Sequence, residues 1–430
     1  MNVSTLLALL LTLTAAFAYI NARWFRLPSA VGVMGMSLTV SLLAIVGERA
    51  GLPLRGWAAQ TVGHINFSEA LLNGMLSFML FAGALHVDLD ELRQQKLTVA
   101  ALATVGVLLS TLVVGVSSWA VFHELHLSVP LLACFTFGAL ISPTDPIAVM
   151  GLLKRMSVSK ALSTKIAGES LLNDGVGIVL FLLALRIWTN GSQALNWQHT
   201  ALLLLREVGG GIGIGVVLGG LCFLLLRSID QYQVELMLTL ALVSGGYDLA
   251  LHLQTSGALA IVAAGLVVGN FGRHFAMSKQ TRHSLDLFWE TLDYILNGVL
   301  FVLIGLQVLL LQFKPGYLIA ALCIVPLIVA ARLLSLALPL LTIRMFGKED
   351  TPLSILTWGG LRGGISIALA LSLPSGVTKD LFVVATYSAV AFSILVQATT
   401  MPLLLRKVLG PNGRADSGAH STEGPELLQP

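Results

Sequence analysis

Apolar stretches about 20 residues long follow one another along this chain with hardly a polar gap, and that is the length a helix needs to cross a bilayer. They fall at approximately 4–20, 29–47, 68–87, 97–122, 129–153, 162–186 and 200–226. A second group covers approximately 234–252, 256–271, 284–311, 316–343, 353–373 and 380–406. Hydrocarbon tolerates only helices or closed barrels, because it offers backbone amides no other partner, and runs this long are helices. The pattern predicts an all-α integral membrane protein with about 13 transmembrane helices. Residues 1–409 make up the membrane domain. The segment 410–430, rich in Gly, Pro, Ser and Ala, reads as a short disordered cytoplasmic tail. No positive charge precedes the first apolar run, so Met1–Ile20 reads as a retained helix rather than a signal peptide.

Composition agrees with that pattern. Of 430 residues, 56% are hydrophobic and only 11% are charged, against about 25% in soluble proteins. A soluble globular protein, a disordered chain and a nucleic-acid binder are excluded. No P-loop pattern and no large loop suited to a nucleotide occurs, which argues against an ATP-driven pump. The net charge of +3 matters only through its placement. With the N-terminus outside, the cytoplasmic connections hold Arg23, Arg26, Arg93, Lys96, Lys154, Arg155, Lys160, Lys165, Arg227, Arg273, Lys279, Arg282, Arg344 and Lys348. Arg406, Lys407 and Arg414 join them at the C-terminal end, and Arg206 lies near an outer helix end. Only Arg49, Arg55, Arg186, Lys314 and Lys379 face outward. Positive charge gathers on the cytoplasmic side of membrane proteins. An odd number of spans is expected, with the N-terminus outside and the C-terminus in the cytoplasm. Cys134, Cys222 and Cys323 sit in apolar stretches without metal-ligand spacing and read as packing residues.

Ionisable residues inside spans are costly and mark function by default. Two segments concentrate them. In the fifth span, Ile141–Val149 reads ISPTDPIAV. Pro143 and Pro146 flank Thr144 and Asp145; proline removes a backbone donor and disfavours helix at the residue before it. The span should break into two half-helices there, as in secondary transporters that build ion sites from broken helices. In the sixth span, Gly168–Gly175 reads GESLLNDG. Glu169 aligns with Asn173 and Ser170 with Asp174 at i, i+4 spacing, on adjacent stripes of one face. Thr144, Asp145, Ser170 and Asp174 thus offer hard oxygen ligands to a small cation such as Na⁺. Two carboxylates without a cation repel one another, so the same group takes either a proton or a cation. Arg332 and Arg362 are positive partners within spans, and Glu169 is expected to pair with one of them. Gly359, Gly360, Gly363 and Gly364 around Arg362 suggest a second interruption, in the twelfth span. Broken spans five and twelve lie seven apart, which would make spans 1–6 and 8–13 two inverted six-helix repeats joined by the glycine-rich seventh.

Weaker signals remain. Asp286, Glu290 and Asp293 follow i, i+4, i+7 spacing at the start of the tenth span and either line an acidic funnel or form a solvated helix end. Asp248 and His252 sit one turn apart at an outer interface. His123, Glu124 and His126 lack the spacing of a zinc site.

ISPTDPIAV, GESLLNDGVGIVLF, FWETLDYILNGVLFVLIG and TWGGLRGGISIALAL, in this order across roughly 130 to 370, resemble the monovalent cation/proton antiporter-1 family. The nearest resemblance is to its NhaP-type Na⁺/H⁺ antiporters, relatives of the animal exchangers. The resemblance implies 13 helices, with broken helices crossing at mid-membrane, a six-helix ion-carrying core, a dimerisation bundle and a homodimer in the cell inner (plasma) membrane. It implies electroneutral exchange of one Na⁺ or Li⁺ for one H⁺, marked by the pair Asn173–Asp174. Asp174 would carry either ion, with Thr144, Asp145 and Ser170 completing the Na⁺ site. Glu169, Asn173, Arg332 and Arg362 would stabilise it. Monovalent cations, protons and membrane lipid are the expected partners, with no cofactor, nucleotide, nucleic acid or enzymatic activity. A K⁺/H⁺ antiporter and a monovalent cation channel are the alternatives. An intramembrane aspartyl protease using Asp145 and Asp174 lacks the Gly-x-Gly-Asp context.

Overall fold

The computed structural model describes residues 3–49, 67–146, 149–151, 153, 156, 158–191, 202–311, 314–345 and 351–409. The expected tail, 410–430, lies outside the described residues, as do Arg55, Lys154, Arg155, Lys348 and Arg414. Among the described residues the regular structure is all helical. The helices are α1 (Val3–Ile20), α2 (Ser29–Arg49), α3 (Phe67–Leu85), α4 (Lys96–Glu124), α5 (Leu131–Ile141), α6 (Lys160–Asn190) and α7 (Leu202–Arg227). They continue as α8 (Tyr232–His252), α9 (Gly257–Gly272), α10 (Lys279–Leu310) and α11 (Pro315–Met345), then the broken α12 (Leu353–Gly359 and Gly364–Leu371) and α13 (Val377–Leu409). Ten of them are long and apolar enough to cross a membrane, and the two halves of α12 add an eleventh if taken together. The other two, α5 and α9, are shorter apolar helices where spans five and nine were expected. In α5 the reason is local, since the prolines end the regular helix early.

The helices sort into two bundles by what they pack against. In one, α4 lies on α5 and α11, α5 on α6, and α11 on α13; the first half of α12 packs between α11 and the end of α13, and its second half packs on α13 and α5 and reaches α3 and α10. In the other, α2 and α1 pack on α10, and α9 sits against α3, α7 and α8. Close approach to α9 depends on glycine. A Cβ at Gly215 of α7 would collide with the Ala260 carbonyl. Trp289 anchors the start of α10, fully buried with its ring 4.6 Å from that of Phe81 and its Nε1 donating to Thr239 Oγ1. Many apolar side chains of α1, α2 and α7, such as Leu43, Leu205 and Val217, point outward, as expected where lipid replaces water as solvent.

A short helix, Leu89–Gln94, links α3 to α4 and touches both bundles. Asn270 of α9 accepts from Leu89 N and donates to the Val87 carbonyl, while Lys160 at the start of α6 donates to Asp88 at 2.6 Å. Asp88 caps the short helix, and the Lys160 ammonium beside it, helped by backbone donors, holds its carboxyl below the usual carboxylate range. Lys165, expected among the cytoplasmic loop charges, is instead buried within α6 and donates to Thr351 Oγ1 at 2.7 Å. Its long stem lets the ammonium reach a polar partner from a buried backbone position. Cys134 and Cys222 are buried packing residues as expected, whereas Cys323 is exposed on α11.

Candidate cation site

Proline dictates where α5 stops. Regular helix ends at Ile141, and residues 142–146 are not helical. The twelfth span breaks as well, its halves bent by 49° around residues 360–363. The two breaks meet. Asp145 N–H donates to the Leu361 carbonyl at 2.8 Å, and Arg362 Nη1 donates to the carbonyls of Ser142 and Pro143. Each interruption thereby satisfies backbone groups that the other leaves exposed, as a low-dielectric interior demands. The last carbonyls of α5 carry the negative end of its dipole, and the guanidinium of Arg362 lies against them. Gly363 permits this approach, for a Cβ there would run into the Asp145 side chain. Gly363→Ala is therefore expected to displace Asp145 and slow ion exchange by about tenfold or more, given that misplacements near 1 Å cost up to about 100-fold at reacting groups. Exchange rates in vesicles check it, and an unchanged rate would contradict the crossing geometry.

Helix α6 runs past the first break. Glu169, Ser170, Asn173 and Asp174 are all buried, on the face that the spacing predicted. Asn173 ties the helix to the break: its Nδ2 donates to Thr144 Oγ1 at 2.8 Å and to Glu169 Oε1 at 3.3 Å, and its Oδ1 accepts from Thr144 N at 3.3 Å. Ser170 Oγ donates to the Thr144 carbonyl. The partner of Glu169 is Arg332, through two parallel bonds of 2.7 and 2.8 Å, the fork geometry that suits guanidinium and carboxylate. Arg362 does not take that place; it serves the carbonyls of the α5 break.

Between the bundles lies a cavity of about 590 Å³. The first bundle lines it with Thr144, Asp145 and Asp174; the second with His86, Glu290, Asp293 and Asn297. Among the described residues no lysine or arginine lines it. Asp174 is buried and feels the negative charges of Asp145 and Glu169. Such a surface repels anions and attracts cations, and a carboxylate so placed has reason to hold either a proton or a metal cation. Three of the four expected ligands reach the cavity. Ser170 stands behind Thr144, its hydroxyl given to the Thr144 carbonyl.

A model of the sodium/hydrogen exchanger transmembrane family matches residues 11–407. This chain belongs to that family. Pseudomonas aeruginosa has a relative named Na⁺/H⁺ antiporter NhaP that is 45% identical over 422 residues, covering 96% of this chain and 99% of the relative. The Na⁺/H⁺ antiporter NhaH of Halobacillus aidingensis is 32% identical over 376 residues, covering 85% and 91% of the two chains. Among solved structures, the sodium proton antiporter MjNhaP1 of Methanocaldococcus jannaschii matches with a TM-score of 0.73 at 21% identity, over 94% of this chain and 98% of that one. At that identity the likeness establishes the fold alone. The chain is a multi-pass membrane transporter with an antiporter fold, and the enzyme alternative falls away.

In this exchanger the acidic stripe on α10 divides. Glu290 and Asp293 line the cavity that holds Asp174, so the funnel reading fits them. Asp286 pairs with Arg273 instead and faces His86 at 3.9 Å. Asp248 and His252 form an exposed pair at 3.5 Å, as their interface position suggested. Sequence reasoning missed His86, Asn297 and Ser366 on the cavity wall. A signal existed for Asn297, which extends the stripe of Glu290 and Asp293 by one more turn. Ser366 follows the glycines of the second break, and His86 is an ionisable residue at the end of a span.

Proposed function

We propose that this exchanger moves Na⁺ or Li⁺ against H⁺ across the cell membrane, one for one, with Asp174 carrying either ion. The observation that carries the reading is the placement of Asp174: buried, beside a helix crossing, on a cavity wall with Asp145, Glu290 and Asp293 and without lysine or arginine among the described residues. Thr144 and Asp145 share the cation with it. Ser170 and Asn173 hold Thr144 in position, and the Glu169–Arg332 pair and Arg362 hold the breaks together. The relatives' names support Na⁺ as the cargo. The K⁺/H⁺ and channel readings gain no such support.

Coupling follows from desolvation. A bare buried carboxylate is costly to carry through a low-dielectric barrier, and one neutralised by a proton or a cation is much cheaper. The bundle of α4–α6 and α11–α13 acts as the moving core. The bundle of α1–α3 and α7–α10 stays still and forms the homodimer contact. The cavity approaches the end where Arg273, Lys279 and Arg282 cluster, which the charge bias makes cytoplasmic, with the N-terminus outside. Only a loaded core crosses, and exchange results.

The test is proton flux in proteoliposomes under an imposed pH gradient. Na⁺ and Li⁺ are expected to dissipate the gradient and K⁺ to leave it intact. With ion gradients fixed, clamping the membrane potential at different values is expected to leave the rate unchanged. A rate that tracks the potential rejects one-for-one exchange; equal activity with K⁺ rejects the selectivity.

A further inference from the structure

An ion pair at the cytoplasmic face, Asp88–Lys160, joins the two bundles. Asp88 is held by the bundle of α3 and α9. A Cβ at Gly269 of α9 would run into the Leu85 carbonyl, so the end of α3 and α9 pack backbone to backbone. Asn270, the next residue, fastens the chain on both sides of Asp88. It donates to the Val87 carbonyl at 3.0 Å and accepts from Leu89 N at 2.8 Å. One amide thus ties residues 87–89 to α9 by both its ends. The two oxygens of Asp88 have separate duties. Oδ1 caps the short helix Leu89–Gln94, accepting from Asp90 N and Glu91 N, and Oδ2 accepts from Lys160 Nζ at 2.6 Å. Lys160 is the first residue of α6, the helix that carries Asp174. Beyond Asp88 the chain crosses over to the other bundle. Leu92 packs on Gly168 of α6, where a Cβ would strike it.

His86 and Val87, just before Asp88, line the cavity that holds Asp174, so the pair stands at the rim of the cavity's cytoplasmic mouth. We propose that Asp88–Lys160 is a latch between the two bundles. It is made while the cavity opens toward the cytoplasm and breaks each time the core carries an ion outward. This rests on the antiport reading for the motion but on separate residues for the contact. A lysine stem follows a small shift of its helix, but a displacement near one helical turn, about 5.4 Å, parts the pair. Lys160 and Asp88 are 68% and 38% exposed, so the pair adds little to the stability of the fold. A latch needs no more than that. A few-fold bias between two states of the carrier changes the apparent affinity measured from each side of the membrane.

Sided kinetics in everted and right-side-out membrane vesicles test it. Asp88→Asn keeps the helix cap, and Lys160→Met keeps the stem. Either is expected to lower the apparent KM for Na⁺ at the outer face by about two- to fivefold and to raise it, by less, at the cytoplasmic face. Asp90 and Glu91 also act on Lys160 by charge, so Lys160→Met should match or exceed Asp88→Asn. The double variant should go no further than Lys160→Met alone, since both remove one contact. A merely structural loss would shift both faces the same way. A second measurement joins Asp88→Cys to Lys160→Cys in a Cys323→Ser background, Cys134 and Cys222 being buried. Bridging the pair with a short bis-methanethiosulfonate reagent is expected to stop exchange, and reduction to restore it. The same reagent on either single cysteine variant should leave exchange running. Undiminished exchange by the bridged protein, or KM values that move in the same direction on both faces, overturns the latch while wild-type exchange stands. Wild-type vesicles that move no ions overturn the antiport reading and the latch together.

Discussion

Asp174→Asn is expected to abolish exchange of Na⁺ and of H⁺ together, to background or at least about 100-fold below wild type. The substitution keeps the shape and burial of the side chain and removes its charge and its proton. A permanently neutral amide offers a cation no counter-charge and offers the pH gradient no titrating group, so both half-reactions fail at once. Loss of one with survival of the other would assign the two ions to different residues. The stability change is expected to run the opposite way. Asp145 and Glu169 both act on Asp174 with like charge, and its burial is unfavourable to a carboxylate. Removing that charge should leave the melting temperature in Na⁺-free buffer equal to or above wild type. A protein that is more stable and inactive is the signature of a site strained for its task. A variant that is inactive because it is unfolded melts lower, so one thermal scan separates the cases. Exchange by Asp174→Asn at the wild-type rate would remove Asp174 from its central role.

Much of this was legible in the chain because membrane solvent imposes simple rules. Length and polarity reveal spans, and the prolines at 143 and 146 reveal where α5 must end. Helical spacing put Glu169, Ser170, Asn173 and Asp174 on one face, where the structure has them buried together. What could not be read is whatever depends on two distant elements meeting. Nothing in the spacing of Arg332 and Arg362 says which one faces Glu169, since each stands in its own span far along the chain. The choice is made by where α11 passes α6 and by the α5 carbonyls that claim Arg362. Ser170 had the right chemistry and the right face, yet its hydroxyl faces a carbonyl that only the broken backbone makes available. Asn297 went unnoticed because an amide on a span looks like packing until its unpartnered oxygen is seen. Cavities are properties of pairs of bundles, and periodicity describes one helix at a time.

The Glu169–Arg332 pair should behave asymmetrically when broken. Both side chains are buried, at 3% and 5% exposure, and joined by two bonds. Stripping one partner from a buried pair costs about 3–5 kcal/mol, because it leaves a charge without compensation. The surroundings decide which end of that range applies. Arg362 also lies within electrostatic reach of both Glu169 and Arg332. Arg332→Leu leaves Glu169 with Arg362 as a residual counter-charge, so its cost should fall near the lower end, about 3 kcal/mol. Glu169→Gln leaves two buried guanidiniums facing each other, and its cost should approach about 5 kcal/mol. It also weakens the contact with Asn173 that orients Thr144. Combining Glu169→Gln with Arg332→Leu removes the like-charge repulsion along with the pair, so the double variant should be more stable than Glu169→Gln alone. Unfolding in mixed micelles by increasing denaturant measures all three, and the coupling energy follows from the cycle. Equal losses in the two single variants would mean that Arg362 is electrically silent here. A double variant less stable than both would mean that the pair contributes more by packing than by charge, since two deletions would then add rather than cancel.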